Sequence, residues 1–192
     1  MKTWYPSSYL KTIFYILIST VFCAAPIYAE SYILDPVHTS IIFRVKHLGL
    51  AYVYGRFNGA TGSFSYDEST PSNTSIRIQV NTLDIDTNHE KRDTHLRSPD
   101  FFNAVKFPLI SFKSMSVKKI DQEYLQVSGD LTILEVTRPI TIKVHHTGSG
   151  KDPLGHFRRG FESSFTIKRT DYGMNFMLNG VSDEVNLTVS VE

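Results

Sequence analysis

Apolar and polar residues alternate with a period of two through most of the chain after residue 40, and that pattern restricts the fold more than any other feature. Ile41, Phe43 and Val45 share one face of an extended segment, and Ile42, Arg44 and Lys46 share the other. Ile76, Ile78 and Val80 alternate in the same way with Arg77, Gln79 and Asn81. Runs of this kind also cover 112–117, 125–134, 140–146, 161–167 and 185–191. Successive side chains of a strand point to opposite faces, so each run reads as a strand with one side in a core. Turn residues separate them: Gly59, 67–73 with Pro71, Asp121 with Gln122, 148–155, and Asp171 with Gly173. A meander of short strands leaves reactive edges unless the sheet closes or stacks. The expected class is all-β, with an antiparallel barrel preferred over a two-sheet sandwich.

One stretch departs from this period. After Thr87 the residues from Asn88 to Arg97 are helix-like, with Thr87 and Glu90 spaced as a capping box and Ser98 before Pro99 as a stop. Asp93 and Arg97 stand four apart with the acid first, the supportive order. The helix is polar on nearly every side, Leu96 being its main apolar residue. Such a helix lies across a core and not within it. Residues 86–108, with Phe101 and Phe102 and ending at Pro108, are expected to cap one end of the barrel.

The first thirty residues follow a different rule. Lys2 and Lys11 precede and flank an apolar run from Ile13 to Cys23, which Ala24, Ala25 and Ala29 follow. That order marks an export leader, and the run is about half of the roughly 20 apolar residues a permanent span requires. Cleavage is expected after Ala29, giving a signal peptide at 1–29 and a domain at 30–192; a retained anchor is the alternative. Phe22 in front of Cys23 argues against a lipoprotein cut.

Removing the leader takes away Cys23 and Trp4, each the only residue of its kind in the chain. A domain without thiols has no disulfide, no thiolate nucleophile and no cysteine ligand for a metal. Lys2 and Lys11 also go, from 20 Lys plus Arg against 19 Asp plus Glu. The balance that remains offers no electrostatic footprint for nucleic acid.

No catalytic or metal-binding motif is complete in the sequence. His89 and Glu90 are followed at the next helical turn by Asp93 where a zinc-protease helix needs a second His, and His95 lies elsewhere on the helix. His145 and His146 are adjacent on a strand and point to opposite faces. No G-x-S-x-G elbow occurs, and Gly148–Lys151 lacks the residues of a phosphate loop. Asp84 with Asp86, and Asp183 with Glu184, fit turn and cap roles. No catalytic residue and no metal site are assigned. The interior of an eight-stranded barrel is just wide enough for side chains or for one narrow ligand. By pattern alone, Phe43, Phe57, Phe64, Phe112 and Phe165 belong either to a dry core or to a cavity wall.

A set of ordered motifs adds to this reading. Residues 32–49 read YILDPVHTSIIFRVKHLG, and VYGRFNGATGSF follows from Val53. LDIDTNHEKRDTHLRSPDFFNAVKFPLISFKS begins at Leu83, GDLTILEVTRPITIKV at Gly129 and IKRTDYGM at Ile167, and the chain ends in SDEVNLTVSVE. In this order, over essentially all of 30–192, they resemble the YceI-like family. The resemblance implies an extended, lipocalin-like, eight-stranded antiparallel barrel in the periplasm. It implies a hydrophobic channel for a polyisoprenoid lipid, such as an isoprenoid quinone or a prenyl phosphate, with no enzymatic activity and no cofactor. Some relatives are linked with cytochrome b561-type membrane proteins, which makes such a protein an expected partner; a homodimer is left open. Thr39, Glu135 and Lys168 depart from the usual Ser, Gly and Asn. Glu135 is expected to alter a turn or a strand edge, and Lys168 either approaches a headgroup or faces water.

Alternation turns Ile41, Phe43, Val45 and His47 toward the channel, together with Phe57, Phe64 and Phe165. His38, Arg92, Asp93 and His95 are the polar motif positions expected near the mouth. For Arg92 and Asp93, pinning the cap helix to the strands competes with contact to a headgroup. The competing function is a stress-response or interaction module with a packed core and no natural ligand.

Overall fold

The computed structural model describes Met1 and residues 30–67 and 70–192. The leader expected at 1–29 lies, Met1 apart, outside the described residues. The strands are β1 (Glu30–Ile33), β2 (Ser40–His47), β3 (Ala51–Phe57), β4 (Thr61–Tyr66), β5 (Ser75–Asn81) and β6 (Ile85–Asp86). After the helix α1 (Glu90–Arg97) come β7 (Leu109–Lys119), β8 (Tyr124–Ile133), β9 (Val136–Lys151), β10 (Phe157–Lys168) and β11 (Val181–Val191). They form one antiparallel sheet in the order β1-β4-β5-β7-β8-β9-β10-β11-β2-β3-β6. Among the described residues no ladder joins β1 to β6, so the sheet curls into a barrel with a seam. Beside the seam, Leu34 N–H to Gly62 O extends the β1–β4 ladder, Asn58 N–H to Asp84 O extends the β3–β6 ladder, and Asp35 N–H to Glu192 O ties the segment after β1 to the last residue.

The strand count corrects the expected eight to eleven. β1 and β6 are four and two residues long, too short for an alternation to be read. β3, Ala51–Phe57, contains two tyrosines, a glycine and an arginine on its outward or close-packed positions, which blurs its period. Its Gly55 has a packing reason. Phe43 is its cross-strand partner, and a Cβ at Gly55 would fall 2.3 Å from the Phe43 ring. The segment expected to turn at 148–155 instead continues the β9–β10 hairpin, and the turn proper is narrower, closed by Asp152 N–H to His156 O. Glycines 148 and 150 carry no side chain to sort between faces, so this extension has no hydrophobic period.

Apolar alternation sorts the side chains as expected elsewhere. One buried cluster gathers Leu34, Phe64, Tyr66, Val127 and Phe161 toward one end of the barrel; a second gathers Ile41, Phe43, Phe57, Val80 and Ile85. Leu96 and Phe102 of the cap pack on the second cluster. A third, Leu131, Ile133 and Tyr172, lies by the β8–β9 turn.

The cap segment also corrects two local expectations. Thr87 is not the N-cap: His89 is, its side chain accepting from Arg92 N–H, and no capping box forms with Glu90. Thr87 is instead buried, with its N–H and hydroxyl both donated to Asp93 Oδ1. Asp93 therefore does not pair with Arg97, whose guanidinium donates to the carbonyls of Leu83 and Ile85, both at 2.9 Å. Buried backbone needs partners more than an exposed ion pair needs closing.

An apolar cavity and its mouth as candidate functional site

The barrel encloses a cavity of about 390 Å3, lined almost wholly by apolar side chains. Its deep end lies among Leu34, Tyr66, Leu125, Val144 and Phe161, all buried. Glu162 apart, which follows Phe161 on the outward-facing alternation of β10, the exposed lining residues are His47, His95 and Met177. These three belong to the end where β2 finishes, α1 crosses and β11 begins, and that end is the mouth.

Ile41, Phe43, Val45, His47, Phe57, Phe64 and Phe165 all line the cavity, as do Arg92 and His95. His38 and Asp93 do not. The place expected for His38 is corrected: it precedes β2, whereas the mouth lies where β2 ends, roughly 25–30 Å away at about 3.3 Å per residue. There His38 Nδ1 sits 2.9 Å from Asp35 Oδ2, and Arg158 bridges Asp35, Asp152 and Glu192 at 2.7–2.9 Å. The hydrogen bond to Asp35 raises the His38 pKa above its ordinary value. Asp35, His38 and Glu192 stand close enough to share an ion, but the Arg158 guanidinium already bonds both carboxylates.

Asp93 is withheld from the cavity by its work on Thr87. Arg92 reaches the same residue from the other side, Nε to Thr87 Oγ1 at 2.7 Å and Nη2 to Thr87 O at 2.6 Å. Thr87 thus relays between two side chains that cannot face each other from adjacent helical positions. His95 Nε2 meets Asp100 Oδ2 at 2.8 Å, and its ring packs edge-on to Phe101 and Phe176. Lys168 is exposed on β10.

Arg169 was not singled out by the sequence reading, yet it organises one wall of the mouth. It is buried and donates to four carbonyls, those of Ser182, Met174, Phe176 and Val181, at 2.7–3.0 Å. Burial pushes its pKa below the ordinary guanidinium value. Next to it Thr170 donates its N–H and hydroxyl to Asp183, both at 3.0 Å. The available signal was Gly173, whose φ of +84° ends the short helical turn 169–172 and starts the loop that Arg169 holds.

The profile of the YceI-like domain matches residues 32–192. The chain belongs to the YceI-like family. A UPF0312 protein of Pseudomonas paraeruginosa is 44% identical over 176 residues, covering 91% of this chain and 92% of its own. The protein YceI of Escherichia coli O157:H7 is 42% identical over the same shares. Among solved structures, Campylobacter jejuni YceI is 28% identical with a TM-score of 0.66, covering 77% of this chain and 89% of its own. Burkholderia cenocepacia BcnA, at 18% identity, has a TM-score of 0.76 over 82% of this chain and 98% of its own. A domain from Saccharophagus degradans described as polyisoprenoid-binding has a TM-score of 0.64 at 14% identity, covering 85% and 97%. The last two share the fold of this YceI-like barrel.

Proposed function

We propose that residues 30–192 act in the periplasm as a reversible carrier or store for a polyisoprenoid lipid, with the isoprenoid tail in the barrel. The observation that carries this reading is the 390 Å3 cavity whose lining is apolar from the deep end to the mouth. Family membership and the fold shared with a polyisoprenoid-binding domain support it.

Moving apolar surface out of water yields about 25 cal/mol per Å2, or roughly 0.8 kcal/mol per methylene. The tail therefore dominates affinity measured from water. Extraction from a membrane gains little by this route, because the tail is already dry there. Exchange with a bilayer is accordingly near balance, which suits a carrier. Selection of the lipid then falls to the head, an isoprenoid quinone or a prenyl phosphate. Arg92 and His95 are the polar side chains placed for it: Arg92 lines the cavity, and its Nη1 makes no hydrogen bond to the described residues. No reaction is assigned to this site.

Organic extraction of the purified exported protein, followed by mass spectrometry, tests the proposal. The expected result is an isoprenoid lipid in near-stoichiometric amount on a chain whose mass begins at Glu30. A protein free of lipid after purification from isoprenoid-containing cells would favour the packed-core module instead.

A further inference from the structure

Two turns at the mouth of the cavity hold exposed apolar side chains on backbone that disfavours them. Leu48, in the β2–β3 turn, has φ of +49° and Met177, in the loop between β10 and β11, has φ of +58°. Left-handed backbone costs an L-residue roughly 1–2 kcal/mol and is ordinarily given to Gly or Asn. Both side chains are nevertheless exposed, Leu48 at 56%, and Leu50 beside it at 83%. Phe176 and Leu178 are exposed in the second loop. The two turns are joined, Leu48 N–H donating to Gly180 O at 2.7 Å, and Phe176 packs on His95 and Phe101 of the cap segment. Exposed apolar groups therefore rim the opening that His47, His95 and Met177 line.

A second order appears along the hairpin behind that tip. Its outward face carries Lys46 paired across the strands with Tyr52, and Arg44 paired with Tyr54. Both tyrosines are exposed, and the Arg44 guanidinium lies 4.4 Å from the Tyr52 ring centre. At about 3.3 Å per residue, leucines come first and tyrosines with cations follow roughly 7–13 Å behind. A bilayer interface presents the same sequence in depth: acyl boundary, then headgroups where Tyr, Lys and Arg settle. Charge agrees. Residues 40–57 contain Arg44, Lys46 and Arg56 and no carboxylate, and residues 173–181 contain no charged residue. Among the neighbouring acids Glu184 faces Lys168 in register, Asp183 is held by Thr170 and Asp100 by His95, while Asp171 just before the loop is exposed.

We infer that the β2–β3 tip and the 173–180 loop form a membrane-docking surface that sets the cavity mouth against the acyl layer of an anionic bilayer. A lipid leaving the barrel then passes from one apolar phase to another without crossing water. The inference rests on the carrier reading for its purpose and on the rim for its geometry.

Every strand and helix among the described residues lies in 30–192, so that chain is the one to test, with vesicles of phosphatidylcholine alone or mixed with phosphatidylglycerol. The wild type is expected to co-sediment with the anionic vesicles, less at high salt. The double variant Leu48→Asn with Leu50→Ser should bind roughly tenfold or more weakly, from the lost leucine burial. Its melting temperature should not fall, because Asn accepts the left-handed turn. Residues 30–192 contain no tryptophan, so Leu50→Trp supplies a single reporter that should shift to the blue and be quenched by brominated acyl chains. Leu154→Trp, at another exposed turn, should do neither. Wild type that stays in the supernatant, a double variant that binds equally, or a silent Trp at position 50 would each overturn the assignment. So would a double variant that changes oligomeric state alone, which would give the rim to a second copy. Lipid extraction from the same preparation separates the two readings: bound isoprenoid without vesicle binding ends the docking surface and spares the carrier, and vesicle binding by an empty barrel does the reverse.

Discussion

Arg92 grips Thr87 twice, through the hydroxyl at 2.7 Å and the carbonyl at 2.6 Å, while Asp93 takes the same residue's N–H at 2.9 Å. With the Thr87 hydroxyl also donating to Asp93, the helix α1 is fastened to the segment before it by four bonds through one buried threonine.

A fastening of this kind exists with or without ligand. Arg92→Ala should therefore lower the melting temperature of delipidated and lipid-loaded protein equally, by the equivalent of roughly 1–3 kcal/mol. Asp93→Ala should act in the same direction, since it strands a buried N–H and a hydroxyl. Thermal melts of both variants in both states decide the matter. A loss confined to the loaded state would mean that the Nη1 contact with a headgroup outweighs the grip on Thr87.

Glu135 should be a stability defect that one substitution repairs. Leu134 and Glu135 occupy the β8–β9 turn with φ of +52° and +61°, the positive values of a tight hairpin turn that favours Asn and Gly. Glu135 is exposed, and its side chain makes no bond to the described residues that would offset the strain. Glu135→Gly is expected to stabilise by about 1 kcal/mol, or roughly 2–4 °C for a chain of this size. An unchanged or lower melting temperature would show that the freer unfolded chain cancels the relief.

Arg169 should tolerate no replacement. Its four carbonyl partners lie on the loop and strand from Met174 to Ser182. Arg169→Met keeps the stem and removes every donor, which should cost about 3 kcal/mol or more through stranded buried acceptors. Hydrogen exchange should rise first in 173–182, before the rest of the sheet.

These cases mark what the sequence makes legible. Period-two alternation needs four or more residues with a wet side and a dry side, and β2, β5, β8 and β11 supply them. It fails for β6, with two residues, and for the glycine-rich part of β9, where no side chain reports a face. The cavity wall follows from the same alternation, which is why Phe43, Phe57 and Phe64 fall where expected. Of the polar positions Arg92 and His95 line the cavity while His38 and Asp93 do not, because a motif states that His38 and Arg92 belong to one family pattern and not that one barrel length separates them. Arg169 escaped because its partners are carbonyls, which every residue carries and no sequence displays.

Phe43 and Phe165 separate a filled core from a ligand wall. Both line the cavity, and Phe43 is buried against Gly55 and Phe57. Phe to Ala should cost roughly 3–5 kcal/mol if the space made is left empty. In a lipid-holding barrel the space is shared with the tail, so Phe43→Leu or Phe165→Leu should also shift the chain length or the occupancy of the extracted lipid. A stability loss with identical lipid content would return both residues to a plain core.

At the closed end, the cluster around Arg158 predicts how stability should follow pH. Hydrogen bonds from His38, then Arg158 and then Val37 N–H hold the Asp35 carboxyl well below its ordinary 3.8. Asp152 is held down to about 2, chiefly by its bond from Arg158. A carboxylate depressed in the folded state lends stability that is complete above its unfolded value and is lost as pH falls toward the folded one. His38 runs the other way: Asp35 raises it above 6.5, so its contribution is complete below that value and fades as pH rises through the folded one. Both terms are therefore present together between about pH 4 and 6.5. The melting temperature should plateau there, fall on the acid side, and decline more gently on the alkaline side because His38 is largely exposed. His38→Asn should flatten the alkaline decline and keep most of the acid one. Arg158→Met should flatten the acid limb, since Asp35, Asp152 and Glu192 all lose the same cation. An acid limb unchanged by Arg158→Met would place the acid sensitivity in some other carboxylate and leave Arg158 a surface ion pair of little consequence.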